Sequence, residues 1–276
     1  MRIDSHQHFW HYSPTEHTWM SDSMSAIRRD FLPEDLQPLL TSLSFDGCIA
    51  VQARQTLEET RWLLELADRF SFIKGVVGWL DLCSPELSGQ LEQFGHHPKL
   101  VGVRHVVQDE PDDEFVLRPE FRRGIAQLRE FDLTYDLLLF PKHIPAAVHL
   151  VEEFPDQPFV LDHIAKPSIA RGLLSPWREE IQRLAQFSNV SCKLSGMVTE
   201  AKWREWKPEE FRPYLDTVVE TFGSDRLMIG SDWPVCILSS DYASTMQLVI
   251  EYIQQFPEDA QAAILGGNCA RFYGIE

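Results

Sequence analysis

Apolar residues cluster in eight short runs along the chain, at 2–4 running into Ser5-His6, then 48–52, 73–79, 100–105, 134–138, 159–162, 190–193 and 227–230. Most are β-branched and apolar at consecutive positions, the pattern of strands buried on both faces. Between them the period changes from two to about 3.6. Residues 57–70 place Leu57, Trp62, Leu63, Leu66, Ala67 and Phe70 on one helical face, and Thr56 with Glu59 predicts a capping box at its start. Stretches 85–94, 119–131, 142–154, 176–187, 208–222 and 241–256 keep the same rhythm, four of them with Pro near the first turn. Eight alternations of strand and helix predict an α/β fold, a closed (β/α)8 TIM barrel spanning 1–276 as one domain. An open doubly wound sheet would carry a Gly-rich turn after its first strand, and His6-Gln7-His8 stands there instead. Residues 11–40 read as a long first βα loop covering the barrel mouth.

Charge and cysteine usage narrow the partners. With 25 basic and 42 acidic residues the formal net charge is −17, which disfavours a nucleic-acid partner. No run of 18 apolar residues predicts a membrane span, and no signal-peptide core follows Met1-Arg2-Ile3-Asp4. The five cysteines are odd in number and form no C-x-x-C, so reduced thiols in a cytoplasmic protein are expected, and a zinc–thiolate site is not.

Barrel active sites form where strands end, so the polar residues at those ends are the candidates. They are His6 and His8 on strand 1, Gln52 on strand 2, Trp79 on strand 3, Arg104 and His105 on strand 4, Tyr135 on strand 5, His163 after strand 6, Lys193 on strand 7, and Asp232 with Trp233 after strand 8. His6 and His8 are two apart, so both imidazoles face one side, where they either hold one metal ion or are satisfied by carboxylates and carbonyls. Asp232 reads as a metal ligand or general base, or as a loop carboxylate. His163 reads as a ligand, a water-orienting group or a core histidine. Arg104 and Lys193 each need an anionic partner, either substrate or internal carboxylate. Trp10, Trp79, Tyr135 and Trp233 read as an aromatic wall for a ring-shaped ligand, or as core.

Several motifs coincide in one order: Ile3-Asp4-Ser5-His6-Gln7-His8-Phe9-Trp10, Val101-Gly102-Val103-Arg104, Leu161-Asp162-His163 with Lys166-Pro167, Lys193-Leu194-Ser195-Gly196, Gly230-Ser231-Asp232-Trp233-Pro234, and Asn268 with Arg271-Phe272-Tyr273. On these the chain resembles the lactonase-like branch of the amidohydrolase superfamily, a group of metal-dependent hydrolases. The resemblance implies a TIM barrel with His6, His8, His163 and Asp232 around the reaction centre, and Arg104 with neighbouring polar groups on a sugar acid. Binuclear members of the wider superfamily bridge two ions with a strand-4 Lys or Glu and add a strand-5 His; here those ends carry Arg104-His105 and Tyr135-Asp136.

The resulting expectation is a hydrolase that opens a sugar-acid lactone of the L-fucono or L-rhamnono kind. Asp232 activates the water, His163 assists, and Trp10, Gln52, Trp79, Arg104, His105, Tyr135, Lys193 and Trp233 contact substrate. One divalent ion, zinc, is expected on His6, His8, Asp232 and His163, with catalysis by the protein groups alone as the alternative. Rival functions are a decarboxylase or a pyrone-lactone hydrolase on the same scaffold, and an inert sugar-binding barrel.

Overall fold

The computed structural model describes residues 1–275. Eight parallel strands run in chain order: β1 (Ile3–Gln7), β2 (Gly47–Val51), β3 (Ile73–Gly78), β4 (Leu100–His105), β5 (Thr134–Leu137), β6 (Phe159–Leu161), β7 (Val190–Leu194) and β8 (Leu227–Ile229). Just beyond β8 the chain returns to β1, with Asp232 N–H donating to His6 O at 2.8 Å and His8 N–H to Trp233 O at 2.6 Å. Those two bonds close the barrel, and they place Asp232 beside the two histidines. All eight predicted strands are present, within a residue or two at each end.

The helices between strands are α1 (Pro33–Ser42), α2 (Leu57–Arg69), α3 (Leu87–Phe94), α4 (Pro119–Leu128), α5 (Ile144–Glu153), α6 (Trp177–Leu184), the single turn α7 (Met197–Glu200), α8 (Arg212–Phe222) and α9 (Tyr242–Ile253). Two short C-terminal helices follow, α10 (Glu258–Ala262) and α11 (Asn268–Tyr273). No helix among the described residues is long and apolar enough to cross a membrane. The 11–40 segment is less irregular than the sequence predicts: α1 begins inside it, and Trp10 pairs with Phe31 in an isolated antiparallel bridge. Only half of the predicted capping box forms. Thr56 Oγ1 accepts from Glu59 N at 3.2 Å, but the Glu59 carboxylate turns to Ala53 N and Arg54 N instead of Thr56.

The barrel interior is stratified. Its lower layer is apolar, with Ile3, Ile49, Val51, Val77, Val160 and Met228, closed from beneath by Cys269 and Tyr273 of α11. The upper layer is charged: Arg104, Asp136, Asp162 and Lys193 are all buried. Strand parity decides which neighbour points inward. On β4 Arg104 faces in, so His105 faces out and stacks on Phe115 at 4.7 Å. On β5 Asp136 faces in, so Tyr135 faces out and packs edge-on against Phe121 and Phe159.

Candidate active site

At the C-terminal mouth, β1 supplies His6 and His8. His8 Nδ1 lies 2.8 Å from Val51 O. A carbonyl only accepts, so Nδ1 carries the hydrogen and the Nε2 lone pair points into the site. That lone pair lies 3.2 Å from Asp232 Oδ1 and 3.3 Å from His6 Nε2. His6 Nε2 is 3.9 Å and His163 Nε2 3.8 Å from the same oxygen. His163 Nδ1 is held at 2.8 Å from Ser195 Oγ.

Asp232 is aimed from behind. Asp4, on β1, accepts Ser231 N at 2.9 Å through Oδ1 and Ser231 Oγ at 2.6 Å through Oδ2. This bracing fixes the turn in which Asp232 adopts a left-handed φ of 57°. Burial pushes the Asp4 carboxyl up to about 6. His163 opens a left-handed turn of four non-glycine residues, φ 55° at His163, 48° at Ile164, 58° at Ala165 and 49° at Lys166. Each costs about 1–2 kcal/mol in an L-residue. The geometry swings both His163 and Lys166 towards the mouth, where they line the same cavity.

Charges below the mouth are interlocked. Asp162 Oδ1 lies 3.0 Å from Lys193 Nζ and 3.2 Å from His6 Nδ1, and Oδ2 accepts from Arg104 Nη1 at 3.0 Å. Burial alone would raise the Asp162 carboxyl, but Lys193, His6 and Arg104 hold it well below the usual carboxylate range. Burial lowers both His6 and His163 well below the usual imidazole value, so both rings are neutral. Asp232 is lowered despite burial, by His163, His8 and Lys166.

Above these groups opens a cavity of about 590 Å³, lined by His8, Arg104, His163 and Asp232 at its floor and by Trp10, Trp19 and Trp203 on its walls. Of the predicted substrate residues, Trp10 and Arg104 reach it. Gln52, Trp79, His105, Tyr135, Lys193 and Trp233 are not part of its lining. His105 and Tyr135 face away from the barrel axis by strand parity. Lys193 is fully buried and ion-paired with Asp136 and Asp162. Gln52 is buried as the acceptor for Arg104. Trp79 lies past β3 with its backbone tied to Thr60 Oγ1. Trp233 packs on Phe9 and Phe31 at 6.3 and 5.3 Å, between barrel and first loop.

Arg104 itself is spoken for. Its Nε and Nη2 donate to Gln52 Oε1 at 3.1 and 2.7 Å, Nη2 also to Gln52 O at 2.5 Å, and Nη1 to Asp162 at 3.0 Å and towards His6 Nε2 at 3.2 Å. Four of its N–H groups thus meet oxygen acceptors of Gln52 and Asp162, and the fifth points at His6 Nε2. Sequence reasoning passed over Glu16, Arg54 and Glu200, which line the cavity together with Lys166. Arg54 pairs with Glu16 of the first loop at 2.6 Å. Lys166 was visible in the Asp-His-Ile-Ala-Lys-Pro motif; Glu16 and Glu200 carry no sequence signal, because loop packing alone brings them in.

A family profile described as Amidohydrolase matches residues 3–275. The chain belongs to the amidohydrolase family. Two L-fucono-1,5-lactonases, of Burkholderia ambifaria and Burkholderia multivorans, are 38% and 40% identical to this amidohydrolase, covering 100% of it and 96% of their own length. The crystal structure of an amidohydrolase from Burkholderia multivorans with bound zinc superposes with a TM-score of 0.96 at 39% identity, covering 100% of both chains.

The donor set fits a metal ion. Nitrogen and oxygen ligands about 2.0–2.1 Å from a tetrahedral zinc stand roughly 3.3 Å apart. His6 Nε2, His8 Nε2 and Asp232 Oδ1 are separated by 3.3, 3.2 and 3.9 Å. Moreover the His8 lone pair and the Asp232 carboxylate are both acceptors facing each other, an arrangement that needs a proton or cation between them.

Proposed function

We propose that this amidohydrolase opens a sugar-acid lactone to the aldonic acid, with L-fucono-1,5-lactone as the first substrate to test. One observation carries the reading: an ionised carboxylate, Asp232, meets the imidazoles of His6, His8 and His163 at the floor of a cavity walled by three indoles. The flat faces of Trp10, Trp19 and Trp203 suit the C–H face of a sugar ring, and the floor suits its one electrophilic carbon. The full-length likeness to L-fucono-1,5-lactonases supports the same substrate class.

Asp232 takes a proton from water as the water oxygen bonds to the lactone carbonyl carbon. The tetrahedral intermediate then collapses, the acyl carbon–ring oxygen bond breaks, and the proton held by Asp232 passes to the ring oxygen, with His163 placed to relay it. Lys166, which forms no ion pair among the described residues and sits 5.7 Å from the Phe140 ring centroid, provides positive potential at the cavity wall for the developing oxyanion. His6, His8 and Asp232, with His163 beside them, would hold a divalent ion, zinc first, and the bound ion would supply Lewis-acid polarisation and a more acidic water.

A dicarboxylate substrate is less well served. Arg54 is neutralised by Glu16 and Arg104 by Asp162, which leaves Lys166 as the lining cation that forms no ion pair among the described residues. The test is a pH-indicator assay on L-fucono-1,5-lactone, L-rhamnonolactone, a pyrone dicarboxylate and a dihydroxybenzoate. Acid release from the sugar lactones is the expected result. Faster turnover of the aromatic acids, or sugar binding without turnover, would overturn the reading.

A further inference from the structure

The wall built after β7 carries an acid that the reaction scheme leaves unused. Glu200 ends α7, which follows Gly196 and is anchored by the buried Met197 and Val198. Thr199 Oγ1 donates to Gly196 O at 2.9 Å, and Trp203 Nε1 donates to Thr199 O at 2.9 Å. The short turn is fixed by these bonds, and both Glu200 and Trp203 line the cavity from it. The Trp203 N–H is already used, so this indole offers a ligand only its ring. The Glu200 carboxyl is the reverse case. It is half-buried and forms no hydrogen bond and no ion pair among the described residues. Burial raises it and the Lys166 ammonium opposes that shift, so the two groups feel each other without pairing. Gln108, in the loop after β4, lines the same cavity and has its Oε1 buried without a partner.

Open acceptors on a cavity wall select for donors on the ligand, because an acceptor left dry and unpaired costs free energy that a ligand O–H returns. Ring hydroxyls donate. The carboxylates of a dicarboxylic acid only accept, and they would meet Glu200 with like charge. We propose that Glu200 reads the ring hydroxyls of the sugar lactone and makes the site prefer a polyhydroxylated lactone to an unsubstituted one. Its two oxygens can accept from two hydroxyls of one ring, while the neighbouring Trp203 covers a C–H face. The inference rests on the sugar-lactone reading above, and it adds the group that recognises the sugar to the groups that attack the ester.

The experiment compares L-fucono-1,5-lactone with δ-valerolactone, two neutral six-membered lactones of which only the first carries hydroxyls. Wild type, Glu200→Gln and Glu200→Ala are assayed on both, and the readout is the ratio of the two kcat/KM values. In Glu200→Ala the ratio should fall about ten- to a hundredfold, the usual range for a hydrogen bond to a charged group, with the change chiefly in KM. Glu200→Gln keeps one carbonyl acceptor, so its ratio should fall less; it also gives the comparison if Glu200→Ala does not fold by circular dichroism. A disturbed α7, or a role for Glu200 as general base, slows both lactones alike. An unchanged ratio in the folded variant therefore overturns the proposal and leaves the lactonase reading intact. A wild type that favours δ-valerolactone overturns it as well. A wild type that hydrolyses neither lactone defeats the lactonase reading instead, and calorimetric titration with L-fucose, which presents ring hydroxyls without an ester, then decides. Weaker binding to Glu200→Ala than to wild type supports the role of Glu200; equal binding, or none to wild type, overturns it.

Discussion

Asp232 shows how much one residue owes to its neighbours. Its backbone is bonded to His6, its loop is braced by Asp4, and its carboxylate faces three imidazoles. Asp232→Asn keeps the shape and removes the base, so kcat on a sugar lactone should fall by at least about 100-fold, within the range for loss of a general base. Steady-state kinetics with a circular dichroism control checks this, and near wild-type kcat would assign the water to another group. Glu59 makes a different prediction. It is fully buried beneath Ala53 and Arg54, and burial raises its carboxyl from 4.5 to about 7. The folded state therefore binds this proton more tightly than the unfolded chain, so the contribution is complete below pH 4.5 and is lost as pH rises through about 7. The loss amounts to about 3 kcal/mol by linkage. Urea denaturation between pH 5 and 8 should show wild type losing stability over this window, and Glu59→Gln losing much less. Parallel curves for the two proteins would assign the pH dependence elsewhere.

Among the elements, the turns after β6 and β7 depend on each other. The left-handed run from His163 to Lys166 brings His163 against Gly196, itself at φ 62°. A Cβ at Gly196 would lie 2.4 Å from His163 Nδ1, where Ser195 Oγ now makes its hydrogen bond. Gly172 has nearly the same backbone, φ 64°, with nothing within 4 Å of its would-be Cβ. Both alanine substitutions add left-handed strain of about 1–2 kcal/mol. Only Gly196→Ala also displaces His163. We expect Gly172→Ala to lower the melting temperature with kcat unchanged, and Gly196→Ala to lower both, with kcat down at least about tenfold from misplacement of a catalytic group. Equal kcat in the two variants would show that His163 position does not limit turnover.

On the scale of the whole molecule, the C-terminal helix α11 is part of the barrel's interior rather than an appendage. Tyr273 reaches up from below and donates to Asp136 Oδ2 at 2.8 Å, the same oxygen that pairs with Lys193. The chain's last helix is thereby linked through Asp136, Lys193 and Asp162 to His6 at the mouth. Tyr273→Phe removes one donor from a buried carboxylate and should destabilise the protein by about 1.5–3 kcal/mol, the usual value for a hydrogen bond to a charged group. Chemical denaturation measures it directly. An unchanged midpoint would mean that Lys193 alone satisfies Asp136.

Hydrophobic periodicity determined the architecture, because a (β/α)8 barrel needs eight doubly buried strands and helices with one apolar stripe, and both leave a local pattern of period. Candidate site residues were legible for a related reason: barrels gather strand ends at one mouth, so His6, His8, His163 and Asp232 could be put forward from their places in the alternation, while their grouping around one centre came from the family resemblance. What only the tertiary structure decided was the direction and company of each remaining side chain. A shift of one residue along a strand exchanges inside for outside, which is why Tyr135 and His105 left the site while Asp136 and Arg104 entered the barrel. Lys193 carries the same charge whether it meets a substrate or a buried carboxylate, and the choice was made by Asp136 and Asp162, which sit on β5 and at the end of β6. Glu16, Arg54 and Glu200 meet in one cavity through loop packing between segments far apart in sequence, and no local pattern records a contact of that kind.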